Sequence, residues 1–278
     1  MALEYVIDFP CQPKRVLAGN DAPEEGVRRL LGLCKLQNMA DAVRAQAAMS
    51  GKDPQGVRIE LLVARPGEET TPTVLKLAEI ESQTEALRTF TPACAVCPVS
   101  SNGRLAGCVG SLAYPISITA EEWLLDRIAA PDTAGGFLLL SAIRDFHYDG
   151  ALIHRYRENK LFESPKALSK PLPANPFGAI EISTDVLFHA WLGVGPVLSP
   201  WHMAMLLVWL SALTLDGSSI DSLDAFDTLV NLPVESRRTR VGIVLGEPSA
   251  DAGILALQRW LDAMVSAWSS DVPVRLDV

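Results

Sequence analysis

Residues 199–215 read SPWHMAMLLVWLSALTL and end a long stretch of the chain without a formal charge, from His189 to Leu215. Ser199 can cap a helix and Pro200 suits its first position, so the pattern predicts a helix that is apolar on every face. About 15 residues follow Pro200, fewer than the ~20 that a membrane-spanning helix needs. We therefore predict one apolar buried helix near 200–215 and no membrane span.

Strand and helix patterns alternate on both sides of this run. Strands are predicted at LEYVIDF (3–9), VRIELLVAR (57–65), VGSLAYPISI (109–118), AIEIS (179–183), RVGIVLG (240–246) and PVRLDV (273–278). Helices are predicted at about 23–34, 36–49, 137–146, 221–230 and 249–268, with two more that start near 119 and 184. The segment 73–90 fits either a strand or a helix. This interleaving predicts an α/β or α+β fold with mixed sheets and flanking helices.

A proline-rich segment divides the chain. SPKALSKPLPANPFG (164–178) holds four prolines, which prevents any regular element from running through it. We predict a connection at 164–177 between a mixed part, 1–163, and an acidic, apolar α/β part, 178–278. One integrated domain that spans both parts is the alternative.

Charge and cysteine content bear on partners and compartment. With 24 basic and 33 acidic residues, the formal charge is −9 and the pI is near 5.0, so a nucleic-acid partner is not expected. The start of the chain does not resemble a secretory signal, and five cysteines are an odd number for a disulfide framework. These features predict a soluble, cytoplasmic protein.

The cysteine motif is the strongest chemical signal. Cys94-Ala-Val-Cys97 is followed after ten residues by Cys108, and a C-x2-C pair can direct two sulfurs at one ion. The Asn102-Gly103 dipeptide between them is typical of a tight turn that would bring the two halves together. We predict that Cys94, Cys97 and Cys108 bind a metal, either as a structural zinc ion or as an iron–sulfur cluster.

The motif is incomplete, which leaves alternatives open. Ser111 stands where a zinc ribbon would have its fourth cysteine. A fourth ligand from elsewhere is one solution, and the candidates are Cys11, Cys34, His147 and His154. A three-thiolate iron–sulfur cluster is another. The third is that no metal binds, and that Cys94 and Cys97 act as a redox pair or simply pack as small apolar residues.

A basic, titratable group of residues flanks the turn at Asp149-Gly150. Its members are Arg144, His147, His154, Arg155 and Arg157. One interpretation is an anion-binding or acid–base site. The other is a set of ordinary charges at helix ends.

The alternative function is a non-catalytic one. The chain lacks the G-x-S-x-G, H-E-x-x-H and Walker motifs, so it stays open whether the protein is an enzyme. Residues 176–278 hold 5 basic and 12 acidic side chains, together with most of the tryptophans. This favours an interaction or assembly protein that contacts a protein partner or a second copy through its C-terminal part. The contact is expected at some of Trp191, Trp201, Trp209, Trp260 and Trp268.

Overall fold

The computed structural model describes residues 2–51, 53–54, 57–63, 71–100, 105–172, 180–193 and 195–277. Two compact units are present. We call Pro10–Val109 the cysteine unit, because it contains all five cysteines, and Met1–Phe9 with Gly110–Val278 the main unit. Helices and small antiparallel sheets make up both units, so the predicted mixed fold is confirmed in its α+β form.

The cysteine unit consists of helices and one hairpin. Its elements are α1 (Gln12–Ala18), α2 (Pro23–Ser50), β2 (Arg58–Val63), β3 (Thr71–Lys76), α3 (Leu77–Thr89) and α4 (Thr91–Ala95). A core of Ala40, Leu77 and Ile80 joins α2 to α3. The segment 73–90, which fitted either a strand or a helix, contains both, since strand β3 is followed directly by helix α3.

Two predictions in the cysteine unit are corrected. The helices expected at 23–34 and 36–49 are one 28-residue helix, α2, because no proline interrupts the segment between them. Gly51 caps the C-terminus of α2 with a φ of 64°, a left-handed conformation that suits glycine. Helix α1 was not predicted, and it packs so closely on α2 that a Cβ at Gly26 would lie 2.0 Å from the carbonyl oxygen of Lys14.

The main unit contains the larger sheet and most helices. Its strands are β1 (Ala2–Ile7), β4 (Val109–Ala113), β5 (Ser169–Leu172), β6 (Ile180–Ser183), β7 (Val197–Leu198), β8 (Leu213–Leu215), β9 (Ser218–Ser219), β10 (Val241–Ile243) and β11 (Val274–Asp277). Its helices are α5 (Ile118–Asp126), α6 (Ala134–Phe146), α7 (Ala151–Glu158), α8 (Thr184–Leu192), α9 (Pro200–Trp209), α10 (Leu223–Val230), α11 (Val234–Arg240) and α12 (Ala252–Ser269). The sheets have the strand orders β4-β1-β11-β7, β10-β8-β9 and β5-β6.

The apolar helix predicted near 200–215 is α9, and it lies in the core of the main unit. Ser199 caps it by accepting a hydrogen bond from the His202 amide at 3.2 Å. The helix ends at Trp209, and the last part of the apolar run forms β8 instead. None of the helices within the described ranges is long and apolar enough to cross a membrane.

The proline-rich segment is partly ordered into a strand. Residues 169–172 form β5, in which Pro171 lies opposite Glu181 of β6. Proline is tolerated there because each strand of a two-stranded sheet keeps an unpaired edge. Strand β5 occupies four residues of the segment and does not run through it. Residues 173–177 lie outside the described ranges, and the division of the chain at 164–177 stays a prediction.

Candidate functional site

Four of the five cysteines line one small apolar pocket of the cysteine unit. They are Cys11, Cys94, Cys97 and Cys108, and three separate segments of the chain supply them. Cys11 occupies the N-cap of α1, Cys94 lies in α4, and Cys108 immediately precedes β4. The fold thus collects thiols that are up to 97 positions apart in the sequence.

The C-x2-C pair forms a hydrogen-bonded turn at the end of α4. The Cys94 amide donates to the Phe90 carbonyl at 2.9 Å, and the Cys97 amide donates to the Cys94 carbonyl at 3.2 Å. In a turn of this kind the first and fourth Cα atoms are within about 7 Å of each other. The two cysteines can therefore approach the Cα separation of a disulfide, which is about 4.4–6.8 Å.

The buried sulfur of this pair has a backbone donor. The Ala106 amide donates a hydrogen bond to Cys94 Sγ at 3.5 Å. Ala106 adopts a left-handed conformation with a φ of 51°, which is uncommon for a residue with a side chain. The donor is therefore already placed where negative charge develops when this sulfur loses its proton or leaves as a thiolate.

Burial determines the protonation of the other three thiols. It raises the pKa of Cys34 to about 12 and that of Cys108 to about 12, and it also raises the pKa of Cys11. The buried Lys14 opposes this effect at Cys11 and Cys108 by favouring their thiolates, but burial dominates. All five cysteines are free, and these three are protonated thiols at neutral pH.

The predicted metal-binding function is wrong. Among the described residues, which include all five cysteines, no group of three or more His, Cys, Asp or Glu side chains is placed to hold a metal ion. Cys94, Cys97 and Cys108 share a pocket but do not form a ligand set. The physical reason is one of placement: helix α4 and the turn after it hold Cys94 and Cys97, whereas Cys108 precedes β4, and together they form no ligand set.

The candidates for a fourth ligand lie in different places. Cys11 joins the pocket, and Cys34 is buried on α2. His147 caps the end of α6 and His154 lies on α7, both of them exposed in the main unit. The Asn102-Gly103 turn lies outside the described residues.

The basic group around Asp149-Gly150 does not form a single site. Arg144 is exposed and pairs with the adjacent Asp145 at 2.8 Å. Arg157 is buried in the main unit and donates to Asp185 Oδ1 at 2.6 Å and to both carboxylate oxygens of Glu121. It also donates to the Thr184 hydroxyl at 2.9 Å. We call Arg157, Glu121, Asp185 and Thr184 the ionic cluster.

Sequence reasoning did not identify the ionic cluster. Arg157 is four positions after the buried Ile153, on the same face of α7, and Glu121 lies beside the buried Ala120. Their positions next to apolar residues that face the core are the pattern from which the burial of Arg157 and Glu121 could have been predicted. Arg157 also donates to the Ser164 carbonyl at 2.9 Å. Each nitrogen of its guanidinium group is thus hydrogen-bonded, and the cluster is a structural element that ties α7 to α5 and α8.

No family model matches this sequence, and neither the curated proteins nor the solved structures compared with it contain a match.

Proposed function

We propose that the cysteine unit carries a reversible dithiol–disulfide centre, in which Cys94 and Cys97 are the pair that is oxidised and reduced. The observation that carries this proposal is the hydrogen-bonded C-x2-C turn, whose two free thiols line one pocket. Cytoplasmic localisation belongs to the same proposal, since a dithiol centre needs a compartment that can return it to the reduced state.

Exposure decides which sulfur reacts first. Cys97 is half-buried, whereas Cys94 is only 8% exposed. Thiol–disulfide exchange needs access to the attacking sulfur. Cys97 is therefore the entry thiol, and Cys94 is the resolving thiol.

The reaction partner is a small disulfide, RS–SR. The Cys97 thiolate attacks one sulfur of this molecule, the RS–SR bond breaks, and the first RS⁻ leaves with the electron pair. Cys94 then gives up its proton and attacks Cys97 Sγ, which forms the Cys94–Cys97 bond and releases the second RS⁻. Two electrons pass from the cysteine pair to the small disulfide, and the two released thiolates take up the two protons.

The Ala106 amide supports the resolving step. Because it already donates to Cys94 Sγ at 3.5 Å, it requires no rearrangement when this sulfur becomes negatively charged. In the reverse reaction the same donor stabilises Cys94 as a leaving group. The remaining pocket cysteines, Cys11 and Cys108, keep their protons and surround the pair with small apolar groups.

Trapping the intermediate tests the order of events. Treated with oxidised glutathione, a Cys94→Ser variant should accumulate one glutathione adduct at Cys97, because the resolving thiol is missing. A Cys97→Ser variant should remain unmodified at Cys94, and the matched control Cys34→Ser should form the disulfide as the unmodified protein does. Intact-mass measurement followed by peptide mapping distinguishes the three. Adducts on Cys34 or Cys108, or equal modification of both variants, would refute the proposal.

A second candidate function is association with another copy of this chain. Trp191, Trp209, Trp260 and Trp268 are buried, but Trp201 is 59% exposed at the start of α9. It follows the last residue of β7 by three positions, and β7 is at the edge of the four-stranded sheet. An exposed tryptophan this close in sequence to an edge strand favours a contact with a second copy.

Light scattering tests this candidate. The unmodified chain should have the mass of a dimer, and a Trp201→Ala variant should have that of a monomer. Phe137→Ala, which removes another exposed aromatic ring of the main unit, is the control and should remain dimeric. A monomeric unmodified chain would exclude the candidate.

A further inference from the structure

A cavity of about 130 Å³ lies in the main unit, beside the N-terminus of α6 and the strands β8 and β9. Its volume corresponds to several water molecules or one small organic molecule, since a water occupies about 30 Å³ in the liquid. It is independent of the dithiol centre, because every residue that lines it belongs to the main unit.

Part of the cavity lining is polar. It includes Ser211, Thr214, Ser219 and Asp221, which carry three hydroxyl groups and one carboxylate. Ser211, Ser219 and Asp221 are exposed and Thr214 is half-buried, and within the described ranges none of the four side chains has a hydrogen-bond partner in the protein. Their polar groups are therefore available to a ligand.

Another part of the lining is aliphatic. Val208, Leu213 and Ile220 belong to it, and all three are at least nine-tenths buried. A ligand that matches both parts has one polar end and one short apolar end. No aromatic ring is among the lining residues, so the stacking surface that sugars and flat heterocycles use is missing from this part of the chain.

Backbone hydrogen bonds hold the walls of the cavity together. The Ala134 amide donates to the Asp221 carbonyl at 3.0 Å, and the Val244 amide donates to the Ala212 carbonyl at 2.9 Å. These bonds join α6 to the segment after β9 and the end of β10 to the segment before β8. The backbone around the cavity is thereby fixed before any ligand arrives, which reduces the entropic cost of binding.

We propose that this cavity binds a small primary ammonium compound with a short aliphatic chain. Asp221 is the only charged residue that lines it, and a carboxylate accepts hydrogen bonds but cannot donate them. An ammonium group has three donors, which match Asp221 and two of the hydroxyl oxygens. The aliphatic chain packs on Val208, Leu213 and Ile220.

A cation lies at the rim of the cavity. The Arg127 guanidinium donates to the carbonyl of Val244, a lining residue, and stacks over the Trp123 ring at 5.1 Å from its centroid. Within the described ranges it forms no ion pair with Asp221. The lining residues themselves carry a charge of −1, which favours a cation over an anion of the same size.

Three probes of equal length test the charge preference. These are n-butylammonium, butan-1-ol and butyrate, each titrated into the full chain and followed by the backbone amide signals in NMR spectra. We expect n-butylammonium to shift the signals of residues 211–221 with a dissociation constant in the millimolar range, since a ligand of five heavy atoms can gain only a few kcal/mol. Butan-1-ol should bind about tenfold more weakly, and butyrate should not bind.

Two matched variants locate the site. Asp221→Asn should weaken n-butylammonium binding by about tenfold, because it removes the charge that the ammonium pairs with. Asp224→Asn removes the same charge from an exposed position outside the cavity and should change binding by less than about twofold. Equal binding of the three probes, or equal effects of the two variants on a folded protein, would overturn the proposal.

Discussion

The main unit and the cysteine unit both bury polar groups, but they stabilise them in opposite ways. In the ionic cluster, a guanidinium whose side chain is 1% exposed is paired with two carboxylates. In the cysteine pocket, the buried thiols lack such pairing and remain neutral because burial raises the pKa of Cys108 and Cys11.

This difference indicates which region stabilises the fold and which region can carry out a reaction. A guanidinium cannot lose its proton in a protein, so it can be buried only with partners that hold it in place. A thiol can be buried as a neutral group at low cost and can be ionised later. The ionic cluster thus serves to stabilise the fold, whereas the thiols of the cysteine pocket can still ionise and react.

The largest expected effect is on the ionic cluster. Arg157→Met should lower the free energy of unfolding by about 3–5 kcal/mol, because it leaves Glu121 and Asp185 buried without a counter-charge. Arg155→Met, two positions away on the exposed side of α7, should change it by less than about 0.5 kcal/mol. Urea denaturation measures both, and a similar stability of the two variants would show that the cluster is not structural.

A smaller effect is expected where α1 meets α2 in the cysteine unit. Gly26→Ala should destabilise the protein by about 2 kcal/mol, because the new Cβ collides with the Lys14 carbonyl oxygen 2.0 Å away. Gly32→Ala is the matched control in the same helix, with nothing within 4 Å of the added atom. The control should be stabilising by about 0.5–1 kcal/mol. Equal denaturation midpoints for the two variants would contradict this packing.

The smallest effect is the contribution of the buried thiols to the pH dependence of stability. The Cys34 and Cys108 thiols have a pKa raised from 9.0 to about 12 by burial. The folded state therefore keeps protons that the unfolded state loses, and stability should fall as the pH rises from about 9 to about 12. Each thiol should account for about 1 kcal/mol at pH 10.

Thiol substitutions isolate this contribution. Cys34→Ala should show a shallower fall in the free energy of unfolding between pH 8 and pH 10 than the unmodified chain, by about 1 kcal/mol. Cys97→Ala, which changes a half-buried position, serves as the comparison. An unchanged slope for Cys34→Ala would mean that its thiol ionises as readily in the folded state as in the unfolded state.

Local patterns predicted the elements well and the site only in part. The alternation in β1, the Ser199-Pro200 start of α9 and the long amphipathic α12 all depend on neighbouring residues, and they were found at or near the expected positions. The meeting of Cys11 with Cys94 depends instead on the packing of α1 on α2 at Gly26, a long-range contact. The pairing of Arg157 with Glu121, 36 positions away, has the same origin, so neither could be predicted from spacing.

The metal prediction failed for a related reason. The C-x10-C spacing shows that three sulfurs can share a region of the chain, but it does not show how each sulfur is oriented. Helix α4 and the turn after it fix Cys94 and Cys97 in an arrangement that suits a pair, and no ligand set forms within the described part of the chain. The protonation of Cys108 follows from tertiary burial, which the spacing does not encode.

The most direct test of the account is a peptide map after oxidation by a glutathione disulfide buffer. Cleavage after Arg88 and Arg104 releases residues 89–104, which contain Cys94 and Cys97 and none of the other three cysteines. If Cys94 and Cys97 are the reactive pair, this peptide should lose two hydrogen atoms, resist alkylation and recover both thiols on reduction, while Cys34 and Cys108 stay free. A folded protein in which residues 89–104 keep two alkylatable thiols throughout the titration would contradict it.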